Sequence, residues 1–172
     1  MKTHRFEQTQ ILPIPVEEAW EFFCDPKNLD EMTPSDLGFE TLFGNDERMF
    51  PGQIIVHRIE LAPLVRVNWT TEISQVVDGE YFIDEQRSGP YRFWHHLHRF
   101  ESADGGKSTR MLDRVHYALP FFPFGEVGLP LVRGKLEKIF GFRREFLEGR
   151  FESTGSVQQT NPVHSLEEIG ST

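Results

Sequence analysis

His96 and His98, one residue apart, and the aspartates Asp84 and Asp113 to either side of them are the groups in this sequence best suited to chemistry. An imidazole backed by a carboxylate is a general-base unit, because the acid fixes the tautomer and orientation of the ring. His-x-His on one strand face is also a spacing that some zinc sites use, with a carboxylate as the orienting outer partner. A third reading is structural: buried polar side chains satisfy one another and fix strand register and helix docking. Arg143 bears on the choice, since it falls inside an apolar helical stripe where an unpaired charge is costly. Its guanidinium is expected to face the sheet and pair with Asp84 or Asp113, by a two-pronged contact if geometry permits. That positive charge counts against a metal ion, so no metal and no cofactor is expected. Cys24 ends an amphipathic helix with no activating base nearby in sequence and reads as a small buried apolar residue. No P-loop, dinucleotide glycine fingerprint, nucleophile elbow or metalloprotease helix occurs.

Strands must carry these groups to one place. Runs at 38–43, 53–61, 65–77, 80–88, 93–102 and 107–119 are each bounded by turn residues, with Asp78-Gly79 and Asp104-Gly105-Gly106 as hairpin signals. Short connections predict an antiparallel meander. Side chains alternate across a strand, so large apolar residues mark the inner face. By that rule Trp69, Phe82, Trp94, Phe100, Met111 and Val115 point inward, and Asp84, Gln86, His96, His98 and Asp113 go in with them. The turn at Gly89-Pro90 sets Asp84 roughly opposite His96, and the turn at 104–106 brings Asp113 near His96 or His98. Cross-strand neighbours lie about 4.5–5.5 Å apart, which predicts an acid–imidazole–acid row over three strands. The face of His57 is ambiguous on this reading.

Helices flank the strands. After a first strand over 3–12, compatible with a sheet edge, Pro15 and the acidic pair Glu17 and Glu18 open a short helix whose inner stripe is Val16, Trp20 and Phe23. Asp25-Pro26 opens a second, ended by Thr33-Pro34. A long helix starts near Pro130 and is expected to end at Gly149, with Leu136, Ile139, Phe140 and Leu147 on one face. The apolar run Phe121-Phe122-Pro123-Phe124 before it reads as a plug of the sheet end, a gate or a partner contact.

Composition bounds the function. The chain has 172 residues, 38% of them hydrophobic, with 16 Phe, enough for one domain with a substantial core. A net charge of −9 argues against nucleic-acid binding, which needs a basic face. A single cysteine excludes an internal disulfide. With no apolar run of about 20 residues and no secretory start, no transmembrane segment is expected and the cytoplasm is the expected compartment. Residues 152–172 hold three acids, no Lys or Arg and no aromatic residue, and read as a flexible acidic and polar tail behind a domain at 3–151.

Ile14-Pro15-Val16-Glu17-Glu18-Ala19-Trp20 and, more specifically, Phe82-x-Asp84-x-Gln86-x-x-Gly89-Pro90-Tyr91-x-x-Trp94-x-His96-x-His98-x-Phe100, with Asp113, Val115, Tyr117 and Ile139-Phe140-Gly141-Phe142-Arg143, resemble the SRPBCC superfamily. This is the helix-grip group of steroidogenic-acute-regulatory lipid-transfer domains, polyketide cyclase/dehydrases and the birch-pollen allergen family. The resemblance covers about residues 3–151, and the second set of motifs resembles a bacterial subgroup described as ligand-binding. It implies an α+β fold, a strongly curved antiparallel sheet of about seven strands gripping a C-terminal helix, with a deep hydrophobic cavity between them. A small hydrophobic molecule is the expected partner. Trp69, Phe82, Trp94, Phe100, Met111, Val115 and Phe140 would supply apolar contact, and Asp84, Gln86, His96, His98, Asp113 and Arg143 would orient a polar end. The alternative is a cyclase- or dehydratase-like enzyme with His96 or His98 as base and Asp84 or Asp113 as its orienter. No catalytic pattern of the cyclase branch carries over residue by residue, so no catalytic residue is assigned.

Overall fold

The computed structural model describes residues 1–62, 64–151 and 163–167. In chain order the elements are β1 (Thr3–Leu12), α1 (Val16–Phe23), α2 (Asn28–Glu31), β2 (Glu40–Phe43), β3 (Gln53–Ala62) and β4 (Val65–Val77). They continue with β5 (Tyr81–Ser88), β6 (Phe93–Ala103), β7 (Ser108–Ala118), α3 (Leu129–Phe151) and β8 (Val163–Glu167). The strands form one curved antiparallel sheet in the order β2-β3-β4-β5-β6-β7-β1-β8, an α+β helix-grip architecture as expected. The turns come from the residues that signalled them. Gly79 between β4 and β5 has φ +75°, and Gly105 and Gly106 between β6 and β7 have φ +65° and +90°, a region that glycine enters without steric penalty.

Three expectations change. β1 is not an edge strand: it lies between β7 and β8, paired with β7 from His4↔Tyr117 to Leu12↔Thr109. Its inner face alternates His4, Phe6, Gln8, Gln10 and Leu12, all buried. The two glutamines, which look solvated in the sequence, donate from Nε2 to the α3 carbonyls of Phe140 (3.3 Å) and Arg144 (3.2 Å), tying helix to sheet. The second change concerns the tail. Val163–Glu167 is strand β8, antiparallel to β1, because its backbone pairs with Thr3–Glu7 in the hydrogen-bonding row that β1 leaves open on that side. The rest of that segment, 152–162 and 168–172, lies outside the described residues. Helix α3 also runs two residues past Gly149, to Phe151, whose buried ring packs into the core and holds the last turn.

Packing divides into two aromatic-rich clusters. Trp20 and Phe23 of α1 meet Phe82, Phe100, Met111 and Leu147 in one. Trp20 also donates from Nε1 to Asp78 Oδ1 at 2.7 Å, fastening α1 to the β4–β5 turn. The other gathers Phe6, Trp94, Val115 and Tyr117 under Leu136 and Phe140 of α3. Residues of both clusters wall a single chamber, and the polar groups singled out above sit against it.

Candidate functional site

A cavity of about 460 Å³ lies between the sheet and α3. Ile55, Trp69, Ile73 and Phe82 wall it from the sheet, Leu29 and Met32 from the α2 region, and Leu136, Ile139 and Phe140 from α3. The concentration of apolar groups follows from strand alternation and the i, i+3, i+4 stripe of the helix. At one end Trp69, Tyr91 and Trp94 form a box, with ring centroids 4.9–5.5 Å apart. The indole Nε1 of Trp69 is buried there with no hydrogen-bond partner.

Register assembles the polar wall. Asp84 is directly opposite His96 between β5 and β6, and His98 directly opposite Asp113 between β6 and β7. His96 Nε2 is 2.9 Å from Asp113 Oδ1, and His98 Nε2 is 2.9 Å from Asp84 Oδ2. The second nitrogens are close as well, His96 Nδ1 at 3.2 Å from Asp84 Oδ2 and His98 Nδ1 at 3.0 Å from Asp113 Oδ1. The last contact lacks the alignment of a hydrogen bond. The imidazoles lie 3.7 Å apart between centroids, with Phe82 stacked on His98 at 4.2 Å and Phe140 edge-on to His96 at 5.5 Å. Arg143 turns to the sheet as expected, over the Phe140 ring and 3.8 Å from Asp113 Oδ1. The contact is single and long, not two-pronged, because that oxygen already faces both imidazoles.

Electrostatics here are set by mutual pairing. Burial alone would push the carboxyls of Asp84 and Asp113 up, but the two imidazoles outweigh it and hold both well below the ordinary carboxylate range. Burial would likewise lower His96, yet Asp84 and Asp113 leave it above its ordinary value. Cys24 is buried, and burial pushes its thiol up to about 11, leaving it unreactive as expected.

His57 behaves in the opposite way. It lies on the cavity wall opposite Trp69, 5% exposed, and burial outweighs the nearby acids to bring it down to about 4. An imidazole with a folded value below its unfolded one of about 6.5 contributes stability that is complete above that pH and is lost as pH falls toward 4. NMR titration should therefore find its ring neutral through mildly acidic pH. His57→Leu should remove an acid-induced destabilisation approaching ~3 kcal/mol over this window, read from urea denaturation at a series of pH values. A ring that titrates near 6.5 would show that it faces water.

Of the expected site residues, Trp69, Phe82, Asp84, Trp94, His96, His98, Phe140 and Arg143 line the cavity. The other five are absent from its lining. Gln86 is spent on the β5–β6 turn, donating to the Tyr91 carbonyl at 2.7 Å and accepting from the Tyr91 amide at 3.2 Å. Phe100, Met111 and Val115 face inward but are covered by core packing, and Asp113 stands behind the imidazoles. Sequence reasoning left out Tyr91 and left His57 open. The pairing of His57 with inward Trp69 is the signal that would have settled its face. The loop at 121–124 does not plug the sheet: Phe121 and Phe124 are more than 80% exposed, and Phe121 borders the cavity.

No protein-family model and no curated protein matches the sequence. Solved structures do match. The Zhui aromatase/cyclase from Streptomyces sp. R1128 is similar with a TM-score of 0.69, at 13% identity over 87% of this chain and 94% of that one. Norcoclaurine synthase from Thalictrum flavum, in complex with dopamine and hydroxybenzaldehyde, gives 0.62 at 11% identity over 90% of each chain. A protein from Thermus thermophilus gives 0.63 at 18% identity over 87% of this chain and 97% of that one. At such identities the likeness is one of fold. It bears out the helix-grip fold that the resemblance implied. No helix among the described residues is long and apolar enough to cross a membrane.

Proposed function

We propose that the chain is a cytoplasmic binding protein for a small hydrophobic molecule held between the sheet and α3. The observation that carries this reading is the asymmetry of the cavity: apolar walls over most of its surface, and polar groups converging on the β5–β6 side where Asp84, His96, His98 and Arg143 meet. Pockets of this kind take affinity from the apolar area and orientation from the few polar groups. A volume of about 460 Å³ falls within the range of small-molecule sites. Binding is favoured over general-base catalysis because every ring nitrogen of His96 and His98 already faces a carboxylate oxygen, at 2.9–3.2 Å, so in the metal-free chain a substrate proton would have to compete with these contacts.

Displacement of a hydrophobic fluorescent dye, with native mass spectrometry of the purified chain, tests the reading. Saturable dye binding is expected. Val132→Trp, at a half-buried position of α3 on the cavity wall, should weaken it about tenfold or more with the circular dichroism spectrum unchanged. Absence of saturable binding, or binding indifferent to Val132→Trp, would overturn it.

A further inference from the structure

Four imidazole–carboxylate contacts meet in the buried cluster, and two neutral imidazoles cannot satisfy them all. Asp84 Oδ2 faces His96 Nδ1 at 3.2 Å and His98 Nε2 at 2.9 Å, while Asp113 Oδ1 faces His96 Nε2 at 2.9 Å and His98 Nδ1 at 3.0 Å. A neutral ring has one N–H and one lone pair, so at least one nitrogen of His96 turns a lone pair toward a carboxylate oxygen whichever tautomers form. Charge points the same way. With neutral rings, the carboxylates of Asp84 and Asp113 against the guanidinium of Arg143 leave one uncompensated negative charge in a buried place. We propose that Asp84, His96 and His98 bind a divalent transition-metal ion through Asp84 Oδ2, His96 Nδ1 and His98 Nε2. This departs from the sequence expectation of no metal.

Geometry supports the site at two levels. The donor atoms of the three residues lie within 4.8 Å of one another. Ligands about 2.1 Å from a common ion are separated by about 3.0–3.4 Å, close to the 3.2 and 2.9 Å found from Asp84 Oδ2. Each ligand also has an outer partner. Trp94 donates from Nε1 to Asp84 Oδ1 at 3.2 Å, leaving Oδ2 for the ion. Asp113 hydrogen-bonds the far nitrogen of His96 and lies 3.0 Å from that of His98, without the alignment of a hydrogen bond, and protons on these two nitrogens would turn both inner lone pairs toward Asp84. The ion pair of Arg143 runs to this outer carboxylate, not to a ligand atom, so the cation that counted against a metal instead balances the group behind the rings. Two imidazoles and a carboxylate suit Zn²⁺, Co²⁺ or Fe²⁺ rather than Mg²⁺ or Ca²⁺. All three ligands line the cavity, so the remaining coordination positions face the space where a bound molecule would lie.

The test uses untagged, chelator-stripped chain titrated with Zn²⁺ by calorimetry and with Co²⁺ by visible absorption. One ion per chain is expected. Asp84→Asn and His98→Gln should weaken binding by about 100-fold or more, and Asp113→Asn by about 10–100-fold. His95→Gln, on the opposite face of β6, should leave it unchanged. Melting curves of the metal-free variants establish that they fold; if a ligand variant does not, X-ray absorption on the Zn²⁺-loaded wild type decides instead, with two imidazoles and a carboxylate oxygen expected around the ion. No stoichiometric binding, binding indifferent to His98→Gln, or a shell with fewer than two imidazoles would overturn the proposal. The metal alone is the probe, so this outcome is separate from whether the cavity takes a hydrophobic molecule.

Discussion

Asp113→Ala is expected to lower the folding stability of the metal-free chain by about 3–5 kcal/mol, the cost of breaking a buried ion pair from one side. The carboxylate is 4% exposed and faces three positive or potentially positive partners, His96, His98 and Arg143. Arg143 cannot shed its charge, so without Asp113 it stays buried over the Phe140 ring with this ion pair gone. The pH dependence follows from the direction of the shift. Burial would raise the Asp113 carboxyl, but the imidazoles hold it below the ordinary range, so its contribution is fully present above the unfolded value of about 3.9 and is lost as pH falls below that. Urea denaturation at neutral pH should show the full difference from wild type, and the two curves should converge in strong acid. A neutral-pH loss under about 1 kcal/mol would mean that Asp113 does not anchor the cluster.

Phe6→Ala should cost a similar ~3–5 kcal/mol, by a different cause: the lost transfer energy of a phenyl ring plus the void it leaves. Phe6 is fully buried at the middle of β1, its ring 4.6 Å from that of Phe140 and 5.1 Å from that of His164 on β8. It therefore supports α3 from below and β8 from the side. Because Phe140 is also a wall of the cavity, the loss should be accompanied by weaker dye binding. Domains of this size are stable by only about 5–15 kcal/mol, so a shift of this magnitude is easily resolved by chemical denaturation. A change within ~1 kcal/mol would show that the helix rests elsewhere.

The polar wall was legible because it depends on short connections. Asp84 meets His96 and Asp113 meets both histidines since the turns at 89–92 and 104–107 leave little freedom of register, and side-chain alternation does the rest. Arg143 could be read for a similar reason, as a charge in an apolar stripe must find an acid. What could not be read depends on packing between distant elements. The inner glutamines of β1 look like solvent-facing residues until α3 carbonyls are placed over them. Likewise β8 has too little apolar content to announce itself, and forms where β1 offers unpaired backbone. Inward facing also proved a weaker statement than cavity lining. Phe100, Met111 and Val115 point the right way, but α1, α3 and the neighbouring core cover them, a matter of depth that strand periodicity does not encode.

The position of β8 bears on how the molecule avoids clumping with its own copies. Among the described strands, those inside the sheet run 8 to 13 residues, while the two at its margins, β2 and β8, have four and five. Bare strand margins are templates on which foreign chains can add, and short or irregular ones are poor templates. β2 is also bulged between Thr41 and Phe43. Removal of β8 would uncover the five residues of β1 that it pairs, Thr3–Glu7, to any passing chain, so this brief strand guards against fibre-like growth as well as extending the fold.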